Sequence, residues 1–484
     1  MIFDIASVLF ALGLLMYLAF RGITLIILAP AAALLAAALT GDLPLLGAYT
    51  QIFMSNTGAF IVSFSPLFLL GAIFGKLMDD TGSARALADG VSAWLGPERA
   101  IVSVVLCCGA LTYGGVSAFV VAFAIYPVAA ALFRGADLPK RLIPGALALG
   151  AFTFTMSALP GSPAIQNAIP MPFFGTTSFA APGLGIIAAA LMLGLGLLWL
   201  NRRAAKARAA GEGYGEHEDN LPSLDVTARE RTQGSGFDIN ELAEPHGRES
   251  LPSFAMAVLP VVLVIVTNFV FTTFIVPRLD TDFLAEPLFG ATTIESVRGL
   301  WAVIVALFLA ILVLIGGNWR RLTDLRASLD HGADASVLPI FNTASLVGFG
   351  AVIAALPVFT AISDALLQIS GDNPLISVAS SVTVLSAMTG SASGGMSIAL
   401  EALGSLFVDM ANTAGISLEA MHRVTALASG ALDTLPHNGA VITLLVVCKL
   451  THREAYGDVL VVGCLIPMLS LIAVIAIASL LGAF

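Results

Sequence analysis

The chain has 484 residues, of which 58% are hydrophobic and only 11% are charged. A soluble protein of this length cannot bury so much apolar surface, so the composition excludes a soluble globular fold. It predicts an all-α polytopic membrane protein, whose first partner is the lipid bilayer. The formal net charge is −10, and no basic patch with interleaved aromatic residues is present, so we expect no nucleic-acid partner.

The apolar runs show which segments can enter a membrane. A helix needs about 20 residues to cross the hydrocarbon core, and several of the runs are much longer than that. The runs fall at residues 3–20, 23–40, 55–78, 98–134, 141–175, 182–200, 253–277, 298–316, 335–369, 374–412, 423–449 and 457–482.

Two long runs are predicted to be re-entrant hairpins, which enter and leave the membrane on the same side. The run 98–134 has turn-forming residues from Gly109 to Ser117, and the run 374–412 has them from Thr389 to Ser397. Basic residues flank the first hairpin at both ends, so it should enter from the cytoplasm. Acidic residues flank the second, which we expect to enter from outside.

Two other long runs, 141–175 and 423–449, are predicted to be broken helices. Leu159 to Pro163 interrupts the first, and Leu435 to Gly439 interrupts the second. Proline lacks an N–H and clashes with the preceding turn, so a helix should break there. A broken helix at membrane depth is tolerated where its free backbone groups are buried in protein or line a cavity.

The order of these elements divides the chain into two halves. Residues 1–200 and 251–484 each contain a hairpin, a broken helix and about five full crossings, and the hydrophilic insert 201–250 reads as a cytoplasmic linker. An odd number of crossings makes the halves inverted repeats. Inverted repeats with paired broken helices indicate alternating access around a site at their interface. Chance similarity in glycine and proline is the alternative.

The two hairpin tips and the two helix breaks are expected to meet near the midplane of the membrane. Helix N-termini there offer unpaired N–H groups that suit a carboxylate, and no Lys or Arg lies in these elements away from their ends. Each serine could instead be a helix-packing residue. The predicted substrate-binding residues are Thr112, Tyr113, Gly114, Gly115, Ser117, Ser162, Asn167, Thr389, Ser391, Ser393, His437 and Asn438.

Asp433 and His437 are the only ionisable pair inside such an element, and we predict that they carry a coupling proton. A static hydrogen bond between the two is the alternative. Sodium is a possible coupling ion as well, because carbonyl and hydroxyl oxygens at the tips can coordinate it. We expect no other cofactor and no metal site.

Other classes of membrane protein fit less well. An intramembrane enzyme would need a zinc-binding His-Glu pair, a Ser–Lys pair or paired aspartates within its spans, and none is present. We therefore predict that the chain is not an enzyme. An anion channel is the alternative to a transporter. Paired hairpins and helix breaks, however, suit a closed substrate site better than a continuous pore.

A likeness to a known family is carried by the segments 109–127, 138–144, 155–167, 388–393 and 433–438. Together they resemble the gluconate permease (GntP) family, which belongs to the ion transporter superfamily. The likeness extends over most of the chain outside the insert and is looser in the second half.

The resemblance implies proton-coupled uptake of small hydroxy-carboxylates across a bacterial inner membrane. It further implies a homodimer, in which a mobile transport domain works as an elevator against a scaffold. Sugar-acid members of the family tend to have an acidic residue in the first hairpin, where this chain has Tyr113 to Ala118. The branch of D-3-hydroxybutyrate permeases is therefore the favoured match, with gluconate or glycerate as the alternative substrate.

Overall fold

The computed structural model describes residues 2–21, 23–217, 251–359, 373–436 and 438–484. Every regular element within these residues is a helix. Seven of the helices are long and apolar enough to cross a membrane, and shorter apolar helices accompany them. The prediction of an all-α polytopic membrane protein is thus confirmed.

The helices before the insert include two long spans, a helix–turn–helix and a series of short helices. They are α1 (Ile2–Phe20), α2 (Leu25–Thr40), α3 (Leu45–Asp80), α4 (Ser83–Leu95), α5 (Ala100–Tyr113), α6 (Ala118–Gly135), α7 (Ile143–Ala151), α8 (Phe154–Ser157), α9 (Ile165–Ala168), α10 (Pro170–Phe174) and α11 (Pro182–Ala209).

The helices after the insert are longer on average. They are α12 (Phe254–Arg278), α13 (Ile294–Asn318), α14 (Leu325–Ala354), α15 (Pro374–Thr389), α16 (Ala392–Ala414), α17 (Leu418–Ala431), α18 (Gly439–Val447) and α19 (His452–Leu481).

A helix–turn–helix stands where each hairpin was predicted. Helices α5 and α6 are joined by residues 114–117, and α15 and α16 are joined by Gly390 and Ser391. Gly390 has a φ of +62°, a left-handed conformation that ends α15 without strain because glycine has no Cβ. The side chain of Ser391 then caps α16 by accepting the N–H of Gly394 at 3.1 Å. Their re-entrant character stays a prediction.

Both predicted breaks are interruptions of helical structure. Helix α7 ends at Ala151 and is followed by the short helices α8, α9 and α10, while α17 ends at Ala431 and α18 begins at Gly439. The inverted relation of the two halves stays a prediction. The linker was predicted to begin at residue 201, but α11 continues to Ala209, so the predicted start is too early. Residues 218–250 lie outside the described residues.

Helix α14 packs along α2, α3 and α16 and is the most enclosed of the long spans. Two glycines allow this close approach. A Cβ at Gly332 would lie 2.8 Å from Ile73 Cα, and one at Gly348 would lie 2.8 Å from the Phe53 carbonyl oxygen. Small residues at such contacts let helix backbones approach each other in a membrane protein.

A buried carboxylate ties α19 to the first half. Asp458 is 2% exposed and accepts hydrogen bonds from Arg203 Nε at 2.8 Å, Trp199 Nε1 at 3.0 Å and Arg141 Nη1 at 3.4 Å. Arg141 also donates to both carboxylate oxygens of Glu212, at 2.6 and 2.8 Å, and this bonding holds the pKa of Glu212 below its usual value. Five charged or polar groups therefore connect the start of α7, the end of α11 and α19.

Replacing Asp458 with alanine should destabilise the fold by about 3 kcal/mol, because three buried or half-buried donors lose their acceptor. The four cysteines in the protein are buried, so a thiol-reactive dye reports thermal unfolding of the detergent-solubilised protein. Asp330→Ala is the matched control, since Asp330 and its partner Arg326 have side chains 67% and 91% exposed. Equal unfolding temperatures for the two variants would contradict this role for Asp458.

Candidate functional site

A cavity of about 270 Å³ lies where the two hairpin tips and the two helix breaks come together. Both α3 and α14 complete its wall. The sequence-predicted residues that the structure brings to this cavity are Thr112, Gly115, Ser117, Ser391, Ser393, Asp433 and Asn438.

The wall of the cavity is apolar on one part and polar on another. Apolar side chains come from α3 and from the first helix break, among them Leu67, Phe68, Phe152 and Met156. Polar groups come from the two tips, from Gln166 of the first break, from the second break and from α14, which sequence reasoning did not place at the site. An amphiphilic small molecule could place its hydrocarbon part against the apolar residues and its polar groups against the polar ones.

Asp433 is the only ionisable residue among the described residues that line the cavity. Its Oδ1 accepts the backbone N–H of Ala392 at 2.8 Å and a hydrogen bond from Asn438 Nδ2 at 2.8 Å. Ala392 is the first residue of α16, so the carboxylate lies at the positive end of that helix. The N-terminus of α16 therefore already has a hydrogen-bond acceptor of the protein's own.

Asn438 joins the second break to the second tip. Its Nδ2 also donates to the carbonyl oxygen of Gly390 at 2.8 Å, and its Oδ1 accepts the N–H of Ala440 at 2.6 Å as the cap of α18. One side chain thus fixes the break, the tip and the carboxylate relative to one another.

The N-terminus of α6 differs from that of α16. Ser117 precedes the helix but its side chain makes no capping hydrogen bond. The first N–H groups of a helix have no intrahelical acceptor, and Ser117 and Ala118 line the cavity. The nearby hydroxyl of Thr112 is buried and has no hydrogen-bond partner among the described residues. This end of the cavity therefore combines a helix N-terminus that Ser117 does not cap with an unpartnered hydroxyl.

Some predicted site residues shape the first tip and the first break instead of lining the cavity. The Tyr113 hydroxyl donates to the carbonyl oxygen of Pro160 at 2.6 Å, which ties the first tip to the first break. Gly114 packs against Val261 of α12. The Ser162 hydroxyl accepts the N–H of Ala164 at 3.3 Å inside the break.

Two further predicted residues remain. The Thr389 hydroxyl donates to the carbonyl oxygen of Leu385 at 2.9 Å and stabilises the last turn of α15. His437 lies outside the described residues, so the proposed pairing of Asp433 with His437 stays a prediction.

The expectation that the four elements contain no internal basic residue is wrong, and Arg423 is the reason. Helix α17 begins at Leu418, so Arg423 lies in its interior and is fully buried. The side chain of Ser417 caps this helix by accepting the N–H of Ala420 at 3.2 Å. That serine, followed by Glu419 in the first turn, was the sequence signal for an earlier helix start.

The guanidinium of Arg423 fills the first helix break. It donates to the carbonyl oxygens of Ala180 at 2.8 Å and Ser157 at 3.2 Å, and to Asn167 Oδ1 at 3.2 Å. A longer bond of 3.4 Å reaches the carbonyl oxygen of Ser178. A residue of the second half therefore satisfies backbone groups that the interruption of the first half leaves free.

Neighbouring side chains extend this network. The His422 ring contacts Thr176 Oγ1 through Nδ1 at 2.6 Å and Asn167 Oδ1 through Nε2 at 3.2 Å. Asn167 Nδ2 donates to the carbonyl oxygens of Ser162 and Ser178, both at 2.9 Å. Asn167 was predicted to bind substrate, but its amide is fully used inside the protein.

The fold and the cavity define a multi-pass membrane protein with a substrate-sized site between broken helices. No family model matches the chain. It is 43% identical over 486 residues to the uncharacterized transporter YxjC of Bacillus subtilis (strain 168), with 99% of each sequence covered. The chain belongs to that transporter family, and it is a transporter, not an enzyme.

A solved structure shares the fold. The crystal structure of the Alcanivorax borkumensis YdaH transporter matches 88% of this chain and 87% of its own, with a TM-score of 0.51 and 17% sequence identity. At this identity the likeness concerns the arrangement of helices and nothing about the substrate.

Replacing Arg423 with methionine should strongly destabilise the protein, because the first break loses its donors and each unsatisfied buried acceptor costs about 1–3 kcal/mol. Arg423→Lys should be nearly as damaging, since an ammonium group cannot reach acceptors arranged for a planar fork. The unfolding temperature of each purified variant measures the effect. Arg326→Met, at a residue with a 91% exposed side chain, is the control. An unchanged unfolding temperature for Arg423→Met would show that the guanidinium does not hold the break.

Proposed function

We propose that the protein is a secondary active transporter that carries a small hydroxy-monocarboxylate, such as D-3-hydroxybutyrate, together with a proton. The observation that carries this proposal is the difference between the N-termini of α16 and α6, both of which lie at the cavity. The N-terminus of α16 holds Asp433, whereas the N-terminus of α6 is uncapped and has the unpartnered Thr112 hydroxyl beside it.

The size and polarity of the cavity favour a short acid. Its volume of about 270 Å³ lies just below the range of roughly 300–1,000 Å³ that is usual for ligand pockets. The apolar side chains of Phe68, Phe152 and Met156 suit a hydrocarbon end, and they offer nothing to the many hydroxyls of a sugar acid. Gluconate and glycerate are therefore the second choice of substrate.

The substrate carboxylate is assigned to the N-terminus of α6. Unpaired N–H groups and the positive end of the helix dipole stabilise an anion there without a Lys or Arg side chain. The hydroxyl of Thr112 supplies one more donor. Binding by neutral donors alone is consistent with the release that a transport cycle requires.

The coupling proton is assigned to Asp433. While this residue is ionised, its carboxylate provides a negative charge at the cavity, and a second anion entering the cavity is repelled. Protonation removes that charge and with it the repulsion of the substrate anion, so proton and substrate bind together. Sodium is the alternative coupling ion, because the Thr389 hydroxyl lies 3.2 Å from the Ser391 carbonyl oxygen in a cluster of oxygens at the second tip.

The remaining features of the proposal follow from the likeness to the gluconate permease family. They are alternating access by an elevator movement, a homodimer, and a place in a bacterial inner membrane. The apolar outer faces of the long helices are compatible with both lipid and a second protomer. An anion channel would differ in showing flux that does not saturate.

Purified protein in liposomes should accumulate labelled D-3-hydroxybutyrate when an inward proton gradient is imposed. Unlabelled gluconate should compete poorly. Uptake driven only by an inward Na⁺ gradient would indicate that Na⁺, bound by the oxygens of the second tip, is the coupling ion. Flux that rises in proportion to substrate concentration would indicate a channel. No uptake of either acid would reject the proposed substrate class.

Asp433→Asn should abolish accumulation driven by the proton gradient while exchange of labelled for unlabelled substrate continues. Asparagine has the same shape, and its carbonyl oxygen can still accept the N–H of Ala392, so the variant removes the titrating group and leaves the tip in place. Asp330→Asn, at an exposed position, is the matched control. Proton-driven accumulation that persists in Asp433→Asn would remove Asp433 from the coupling role.

A further inference from the structure

The cavity-facing side of α14 contains hydrogen-bonding groups that the protein itself does not use. Asn342 is 3% exposed, and its Oδ1 accepts a hydrogen bond from the hydroxyl of Thr24 at 3.2 Å. Its Nδ2 is buried and finds no hydrogen-bond partner among the residues that the structure describes. An unsatisfied buried donor is costly, so its presence in a native wall calls for a partner that arrives from elsewhere.

Position in the cavity separates Asn342 from the other unpartnered groups. Within the described residues, ten buried side-chain polar atoms lack a partner, and only those of Thr112 and Asn342 belong to residues that line the cavity. Thr112 lies beside the N-terminus of α6, where the carboxylate is assigned. Asn342 lies on a different element, and its partner Thr24 directly precedes α2, whose first residue Leu25 also lines the cavity.

An acceptor accompanies this donor. Pro339 has no N–H, so the carbonyl oxygen of Ala335, four residues earlier, lacks its usual helical donor. Ala335 and Asn342 are seven residues apart, hence on the same face of the helix, and both line the cavity. The hydroxyls of Ser336 and Thr343, also on this wall, are already bonded to carbonyl oxygens of α14 itself.

We propose that Asn342 recognises the hydroxyl group of the substrate and makes the transporter selective for hydroxylated over unsubstituted short acids. This inference rests on the proposed function. A hydroxyl both accepts and donates, so it can take the Asn342 N–H and give its own proton to a different acceptor of the cavity wall. The hydroxyl can bond to the Asn342 amide whether the amide nitrogen or the amide oxygen faces the cavity. The carboxylate is assigned to the N-terminus of α6, so the hydroxyl is the polar group of the substrate that remains for Asn342.

The test compares two acids that differ only in the hydroxyl group, D-3-hydroxybutyrate and butyrate. Uptake of each labelled acid into liposomes is measured for wild type, Asn342→Leu and Asn342→Ser. We expect wild type to prefer the hydroxylated acid, and Asn342→Leu to raise its KM at least about 10-fold while the KM of butyrate stays the same or falls. Asn342→Ser, which keeps a small hydrogen-bonding group, should lie between the two.

Asn56→Leu is the matched control, since Asn56 also precedes a threonine but lies outside the cavity wall and donates to the Ile52 carbonyl oxygen at 2.8 Å. It should leave the preference unchanged. Butyrate uptake by Asn342→Leu shows that the variant folds. Equal losses for both acids, or an unchanged preference, would overturn the inference. Wild-type protein that transports neither acid would overturn the proposed function and the inference with it.

Discussion

Interrupted helices inside a membrane oblige the protein to satisfy its own backbone, since lipid offers no hydrogen-bonding partner. The fold meets this constraint twice and by different means. The first break is filled by a cation, the guanidinium of Arg423, which bonds carbonyl oxygens on both sides of the interruption. The second is held by a carboxyl group, that of Asp433, which accepts the N–H of Ala392. The cavity depends on both breaks keeping their shape, because residues of both line it.

The two solutions have different consequences for movement. The Arg423 network is closed within the protein and joins residues of both halves, so it favours a rigid first break. The bonds of Asp433 and Asn438 depend on a group that can gain a proton, and they connect the second break to the second tip. In the proposed cycle the proton acts at the second break, while the substrate is held at the uncapped α6 terminus and along α14.

Much of this organisation could be predicted from the sequence, and the reasons are local. Hydropathy indicates which segments are buried in lipid, and the residues 159–163 and 435–439 interrupt helices through proline and glycine chemistry that needs no distant partner. The turn at Gly390 and the cap at Ser391 are equally local. The meeting of tips and breaks was expected from their shared character, and several of the predicted residues lie at one cavity.

The sequence by itself determined an all-α membrane protein with helices interrupted at particular places, because composition and turn chemistry act over a few residues. Tertiary structure alone decided which groups are used and which are free. Asn167, a predicted ligand, is bonded to Arg423, a residue 256 positions away. In the part of the chain that the structure describes, Asn342 bonds Thr24 through its Oδ1 and its Nδ2 has no partner. Hydrogen-bond satisfaction depends on which side chains meet in space, and no local pattern reports that.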